Sequence, residues 1–213
     1  MQTQLSEFTG IRNAAIISVL MGCGLRVSGV SRLNESDLVY DTDENGKESA
    51  YLRVVEKGNN QRAVPLPDES FLFIRAYLGH PELDKIDRSL PNGDRVLFVN
   101  IRNPKVKNFD NCGDLRRLST SGIRRMVYNL GQQAGLPKEC CHPHALRHLY
   151  GTELVEAGTD TLTVQTLMGH KDANSTKVYI HLSTRRLRKA VDKGNPLGKM
   201  KTQVSGLTHL LHR

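Results

Sequence analysis

The sequence predicts a mainly α-helical chain with a small antiparallel β-sheet, an α+β fold. Three observations carry that reading. Apolar residues recur at helical spacing in several separate stretches, among them Ile123, Met126, Val127, Leu130 and Ala134. Two β-prone runs, residues 50–55 and 61–66, flank Glu56-Lys57-Gly58-Asn59-Asn60 and read as one hairpin with Lys57 at its tip. Between these elements, Gly, Pro, Asn and Asp mark the stops.

Taken in order, residues 9–21 are apolar almost all round, with Gly22 and Gly24 immediately after, which predicts a buried helix with a glycine stop. Arg26 opens a short helix through Leu33. Pro65 and Pro67 close the second strand, and a helix follows from Asp68 to Leu78. Residues 79–118 read as a polar connection containing one strand at 96–100. Ser119 or Thr120 caps the next helix. A further helix starts at His144 and puts His144, Arg147, His148 and Gly151 on one face, with Leu146, Leu149, Tyr150, Leu154 and Ala157 roughly opposite. Gly158 ends it. A short helix over 164–168 stops at Gly169-His170, and another is expected to include Lys177–His181.

Composition narrows the class. The chain has 213 residues, 38% hydrophobic and 24% charged, enough for one substantial domain with a packed core. The longest apolar run, Ala14 to Met21, is too short for a bilayer span, and the first residues lack the basic and apolar regions of a secretion signal. Two adjacent cysteines, Cys140 and Cys141, and two distant ones, Cys23 and Cys112, do not make a disulfide framework, so reduced thiols and a cytoplasmic setting are expected. Net charge is +8, and residues 183–213 hold eight basic side chains against Asp192 alone. A near-neutral body with a basic tail suits a polyanionic partner or a plain charged end.

Several chemistries find no support. Neither phosphate-binding loop pattern is present, nor the nucleophile elbow of the serine hydrolases. The string Cys140-Cys141-His142-Pro143-His144 offers metal-ligand types, but neighbouring positions cannot all face one ion and no second pair follows at zinc-like spacing, so no metal is expected. What remains is a dispersed set of cations and one tyrosine: Arg26, Lys57, His144, Arg147, His170 and Tyr179. Each alone has an ordinary structural explanation.

In this order they match a family. The strings Gly22-Cys-Gly-Leu-Arg26-Val-Ser28, Glu56-Lys57-Gly58-Asn59 with Arg62-Ala-Val-Pro65-Leu66, and Pro143-His144-Ala-Leu-Arg147-His148 are followed by Thr152-Glu-Leu154, Leu167-Met-Gly169-His170 and Thr176-Lys-Val-Tyr179-Ile-His181. The chain thereby resembles the catalytic domain of the tyrosine site-specific recombinases, the integrase family of phages, transposons and chromosome-dimer resolution systems, from about residue 9 to about 190.

The resemblance implies the fold of that domain and a role for each residue. Tyr179 would attack phosphorus, forming a 3′-phosphotyrosyl bond and releasing a 5′-hydroxyl. Arg26 and Arg147 would hold the non-bridging oxygens, a task for which a planar guanidinium fork is suited and a lysine is not. Lys57 would protonate the leaving oxygen, His144 would assist proton transfer at the tyrosine, and His170 would hydrogen-bond the scissile phosphate. Breaking a phosphodiester with neither metal nor cofactor needs such a set: nucleophile, cations for the developing charge, and a proton source. Because the phosphotyrosine conserves the bond energy, rejoining needs no ATP. Tyr128 and Tyr150 read as core or rim residues. Tyr40, Tyr51 and Tyr77 have no family counterparts, His148 and His181 read as supporting residues, and His142 reads as a loop residue.

The implied partners are a double-stranded DNA recombination site and further copies of the chain in a tetrameric synapse on DNA, with no membrane and a nucleoid-associated location. Arg116, Arg117, Arg124 and Arg125 would contact DNA phosphates. Integration or excision of a mobile element is the expected use. The family also implies a helical DNA-clamping domain ahead of the catalytic one, whose sequence is expected to be absent from this chain. An acidic residue common after Arg-Val-Ser is replaced by Gly29.

The expected division is a catalytic domain over 1–182 and a basic segment over 183–213. In the latter, Leu197, Met200, Val204, Leu207 and Leu211 form a helical stripe after Asn195-Pro196. Its expected role is docking on a neighbouring recombinase; the alternative is docking on its own domain. Two further functions remain open at this point: a type IB topoisomerase-like relaxing enzyme, and a DNA-binding accessory module that does not cleave.

Overall fold

The computed structural model describes residues 2–42, 46–55, 61–101, 107, 110–169 and 184–211. Helix α1 (Gln2–Gly22) is followed by α2 (Val27–Arg32), then by a three-stranded antiparallel sheet of β1 (Leu38–Thr42), β2 (Glu48–Val55) and β3 (Gln61–Pro65) in that order. Helices α3 (Asp68–Leu78), α4 (Pro81–Asp84), α5 (Thr120–Gln133), α6 (Pro143–Glu156), α7 (Thr161–Met168) and α8 (Thr184–Gly194) complete the body. The mainly helical α+β class is as expected. Among the described residues, no helix is long and apolar enough to cross a membrane.

Helix α1 starts well before the expected Thr9. Its first turns look polar, yet Phe8 is fully buried and stacks on Tyr77 with ring centroids 5.7 Å apart. That single aromatic extends the buried stripe beyond the apolar run. The glycine stop is real: Cys23 N still donates to Val19 O, and Gly24 then takes a left-handed conformation with φ +57°.

Strand β1 is a correction to the two-stranded hairpin. It pairs with β2 in the register Leu38↔Leu52 and Tyr40↔Ala50, while β3 pairs on the other side with Leu52↔Val64 and Val54↔Arg62. Only Leu38 of β1 is buried, so an edge strand with one core residue leaves little alternation to read. Residues 96–99 are a second correction. Val96, Leu97, Phe98 and Val99 are all buried, but among the described residues they make only isolated bridges, Asn34↔Val96 and Val99↔Arg117, and form no ladder. Their backbone is satisfied partly by loop backbone, with Val96 N donating to Arg88 O, Leu97 N to Leu33 O and Leu118 N to Phe98 O, and partly by side chains. Tyr77 Oη donates to Leu97 O at 3.0 Å and accepts from Val99 N at 3.3 Å, and Arg12 Nη1 donates to Val99 O at 2.9 Å.

The main core lies between α1, α3 and the sheet, with α5 packed beyond α2. A smaller core, Tyr150, Leu154, Leu167, Met168, Leu187 and Val191, joins α6, α7 and α8. Leu149, expected on the apolar side of α6, is 39% exposed, whereas Arg147 is buried. Arg188 ties α8 to the sheet by donating to Ala50 O at 2.8 Å and Leu66 O at 3.4 Å.

The end of the chain differs from the single amphipathic helix expected. It forms two 3-10 turns, Pro196–Lys199 and Ser205–Leu211, and Leu197, Val204 and Leu211 are buried against the chain's own body. Leu197 packs over Gly22, and Val204 and Leu211 join the main core. Met200, Leu207 and Leu210 stay exposed, so the stripe is split by the tighter turn rather than presented on one face.

Candidate functional site

Helix α6 builds one side of the site. His142 caps it, its Nδ1 accepting from Ala145 N at 3.0 Å, and Pro143 occupies the first turn where no N–H is needed. His144 then falls in the first turn, exposed, and Arg147 one turn later, 5% exposed. The His144 ring meets His148 edge-on at 4.3 Å and lies 6.5 Å from His142.

Helix α7 supplies the other side. Asp160 caps its start, accepting from Thr163 N at 3.1 Å, and Gly169 ends it in the left-handed region at φ +61°. Leu167 and Met168 are buried in the smaller core, which fixes the direction of the helix end. The last carbonyls of a helix have no partners within it and carry its partial negative charge. Here Gly169 N serves Gln165 O and Thr166 O, and arginines serve the rest. Arg62 Nη1 donates to Leu167 O at 2.6 Å, Arg147 Nη2 donates to Met168 O, and Arg26 Nη2 donates to Gly169 O at 3.0 Å. Arg147 Nη1 also donates to Gly24 O.

Arg26, at the start of α2, and Arg147, from α6, therefore meet at the end of α7, and His144 lies one turn before Arg147 on α6. The cationic character is felt at His144. Partial desolvation and then the neighbouring His148, Arg147, His142 and Arg26 hold its imidazole pKa below the ordinary value of 6.5. A neutral ring at neutral pH can accept a proton.

Lys57, His170 and Tyr179 lie outside the described residues, as does the helix expected around 177–181. The four arginines expected on phosphate divide. Arg124 and Arg125 are exposed on α5. Arg117 is committed to the fold: Nη1 donates to Ser31 O and Leu33 O at 3.2 and 3.1 Å, Nη2 to Asn34 Oδ1 at 2.8 Å, and Nε to Asp114 Oδ1 at 2.8 Å. Arg116 is half-buried and donates to Ile101 O at 3.2 Å.

Sequence reasoning missed two features of this region. Arg62 stands inside a matching string yet received no role, although a cation two strand residues from a hairpin end is a ready partner for helix carbonyls. Tyr150 lies fully buried beneath the site, its ring against Gly24, and its hydroxyl has no hydrogen-bond partner among the described residues. Cys23 is buried beside it, donating to Pro65 O at 3.7 Å, and burial pushes its thiol pKa up to about 12.

Comparison with known proteins gives a consistent picture. A family profile described as "Phage integrase family" matches residues 1–186. The chain is 30% identical over 196 residues to the tyrosine recombinase XerD of Proteus mirabilis, covering 91% of this chain and 55% of that protein. It is 34% identical over 192 residues to the tyrosine recombinase XerC of Pelotomaculum thermopropionicum, covering 89% and 56%. Among solved structures, the XerA recombinase aligns with a TM-score of 0.57 at 29% identity, covering 91% of this chain and 61% of that one. The integrase from mycobacterium phage Brujita shares the fold, with a TM-score of 0.60 at 22% identity over 95% of this chain and 57% of that one. The chain thus spans a little over half the length of these relatives.

Proposed function

Since the chain belongs to the phage integrase family, we propose that it is a site-specific DNA recombinase that cuts and rejoins duplex DNA through a 3′-phosphotyrosine on Tyr179. The observation that carries the reading is the meeting of Arg26 and Arg147 at the end of α7, directly before His170 in sequence, with His144 near enough to both to feel their charge. Two side chains one turn apart on α6 and a third from more than a hundred residues earlier in the chain, cationic or proton-accepting, suit a pentacoordinate phosphorus better than they suit simple DNA binding.

The reaction balances without a cofactor. The Tyr179 oxygen bonds to phosphorus while the bond from phosphorus to the 5′ oxygen breaks. His144, neutral at pH 7, takes the phenolic proton, and Lys57 gives a proton to the departing oxygen. Arg26, Arg147 and His170 hold the phosphate oxygens as charge builds. Attack by a 5′-hydroxyl from another duplex reverses the step and completes a strand exchange. Synapsis of two sites by four copies of the chain would align those ends. Arg124 and Arg125 would add sequence-independent phosphate contacts. Work on DNA sets the enzyme inside the cell, beside the nucleoid.

Mobilising an element and recombining a fixed chromosomal site use the same chemistry. The identity to XerC and XerD recombinases supports site-specific recombination, and integration or excision of a mobile element is the finer proposal from the sequence. The test is exchange between two labelled duplexes carrying a common site, in EDTA and without ATP. Recombinant joints are the expected product. Relaxation of supercoiled DNA without exchange would favour the topoisomerase-like enzyme, and salt-sensitive binding alone would favour the non-cleaving module. The DNA on which joints form also decides the finer question: ends of an inserted element, or a site with no element beside it.

A further inference from the structure

Arg62 stands apart from the other arginines at the end of α7. It comes from β3, where it pairs with Val54, and it donates to Leu167 O at 2.6 Å. Arg147 and Arg26 take the next two carbonyls, Met168 O and Gly169 O, so three guanidinium groups occupy three successive acceptors. Arg62 is half-buried, and its charge is felt beneath the site at Cys23 and Tyr150, on the side of the core rather than the exposed side where Arg26 lies. Its chain neighbours matter as well. Lys57 precedes it by five residues, and His170 follows Leu167 by three.

We infer that Arg62 is a positioning residue for the recombination chemistry: it docks the end of α7 on β3, and so sets the aim of Arg147. It acts through other residues and does not touch DNA. The inference rests on the recombinase reading of the site. A helix end with unpaired carbonyls draws any nearby donor, and Arg147 already serves the next carbonyl, Met168 O. With Leu167 O taken by Arg62, Arg147 donates to Met168 O and Gly24 O among the described residues. Without Arg62, Leu167 O competes for that guanidinium and the helix end can slide against the sheet. Displacements on the order of 1 Å can cost about 100-fold in rate.

The test uses single-turnover cleavage of a nicked duplex at saturating protein, comparing the wild type with Arg62→Met, Arg62→Lys and Arg147→Ala. Each is run on a normal scissile phosphate and on a methylphosphonate, which carries no charge for an arginine to neutralise. Arg62→Met should cut the normal substrate roughly 10- to 100-fold more slowly, with DNA affinity within about threefold. Arg62→Lys should recover part of the rate, because one ammonium can still reach one carbonyl. On the methylphosphonate the Arg62→Met defect should shrink together with that of Arg147→Ala. Equal defects on both substrates would reduce Arg62 to general stability and overturn the inference, as would a normal rate or a loss confined to affinity. Failure of the wild type to cleave at all would instead strike the recombinase reading. Amide hydrogen exchange at Gly169 tests the docking independently of cleavage: Arg62→Met should speed it about tenfold or more relative to α5 amides, and unchanged exchange would also overturn the inference.

Discussion

Gly24 lies against the ring of Tyr150 so closely that an added Cβ would come within 2.2 Å of the ring Cδ1, while the same glycine holds φ at +57° and offers its carbonyl to Arg147. One backbone position thus ends α1, seats the aromatic floor of the site and helps to aim a proposed catalytic arginine. The two constraints are separable. Gly93 also has a positive φ, +82°, but nothing within 4 Å of a prospective Cβ. Gly93→Ala should therefore cost only backbone strain, about 1–2 kcal/mol. Gly24→Ala adds overpacking and should cost about 2–5 kcal/mol in all. Urea unfolding of both variants checks this, and equal losses would show that the Tyr150 ring yields freely.

Arg117 and the pair Arg124 and Arg125 should behave oppositely. Arg117→Ala strips partners from Ser31 O, Leu33 O and Asn34 Oδ1, and should lower stability by about 1–3 kcal/mol. It should leave the salt dependence of DNA binding alone. Replacing Arg124 and Arg125 by alanine should hardly affect stability and should reduce the slope of log K against log salt by about 2, near 0.9 for each phosphate no longer neutralised. A reduced slope for Arg117→Ala, with stability intact, would return that residue to the DNA surface.

The pH dependence of cleavage follows from His144. Its folded pKa lies below the ordinary 6.5, so the neutral, proton-accepting form persists as pH falls through neutrality and is lost only below that value. The cleavage rate should hold from pH 8 to 7 and its acid limb should have a midpoint below about 6.5. His144→Gln should remove the limb and lower the plateau by about 10²–10⁴-fold. An acid limb centred above pH 7 would contradict the assignment.

The terminal segment should contribute to the stability of the isolated chain. Leu211 is fully buried, and Leu211→Ala should cost about 2–5 kcal/mol, with an effect independent of protein concentration. Docking on a neighbouring molecule would give the opposite pattern: little loss for a dilute single chain and a defect confined to assembly on DNA.

What the sequence discloses here follows the range of the interaction. The start of α6 was legible to within a residue, from the histidine and arginine that follow Pro143, but the capping role of His142, read as a loop residue, was not. The part of Arg26 and Arg147 in phosphodiester chemistry is the proposal, but their grouping was legible in the order of the matching strings, and both side chains reach the end of α7. Strand β1 was not, because only Leu38 faces the core and four residues of an edge leave no pattern. The roles of Arg62 and Arg117 were not, because their acceptors are backbone carbonyls 105 and 86 residues away, and any residue type can supply a carbonyl. The tail misled for a related reason. Spacing of 3 and 4 residues suits an α-helix, but with Gly198 and Gly206 in the segment, packing on α1 and α3 decides its conformation.

The central claim is that Tyr179 becomes covalently joined to DNA, and trapping measures it most directly. A pool of nicked duplexes, drawn from the DNA flanking the coding sequence, is incubated with wild type and Tyr179→Phe in EDTA. The samples are then denatured, and the adduct is digested to find the modified residue. Wild type should give a denaturation-resistant adduct at a 3′ phosphate on the Tyr179 peptide, with a free 5′-hydroxyl on the released strand, and Tyr179→Phe should give none. An adduct of equal yield from the phenylalanine variant, or DNA bound by wild type and never joined to it, would contradict the account.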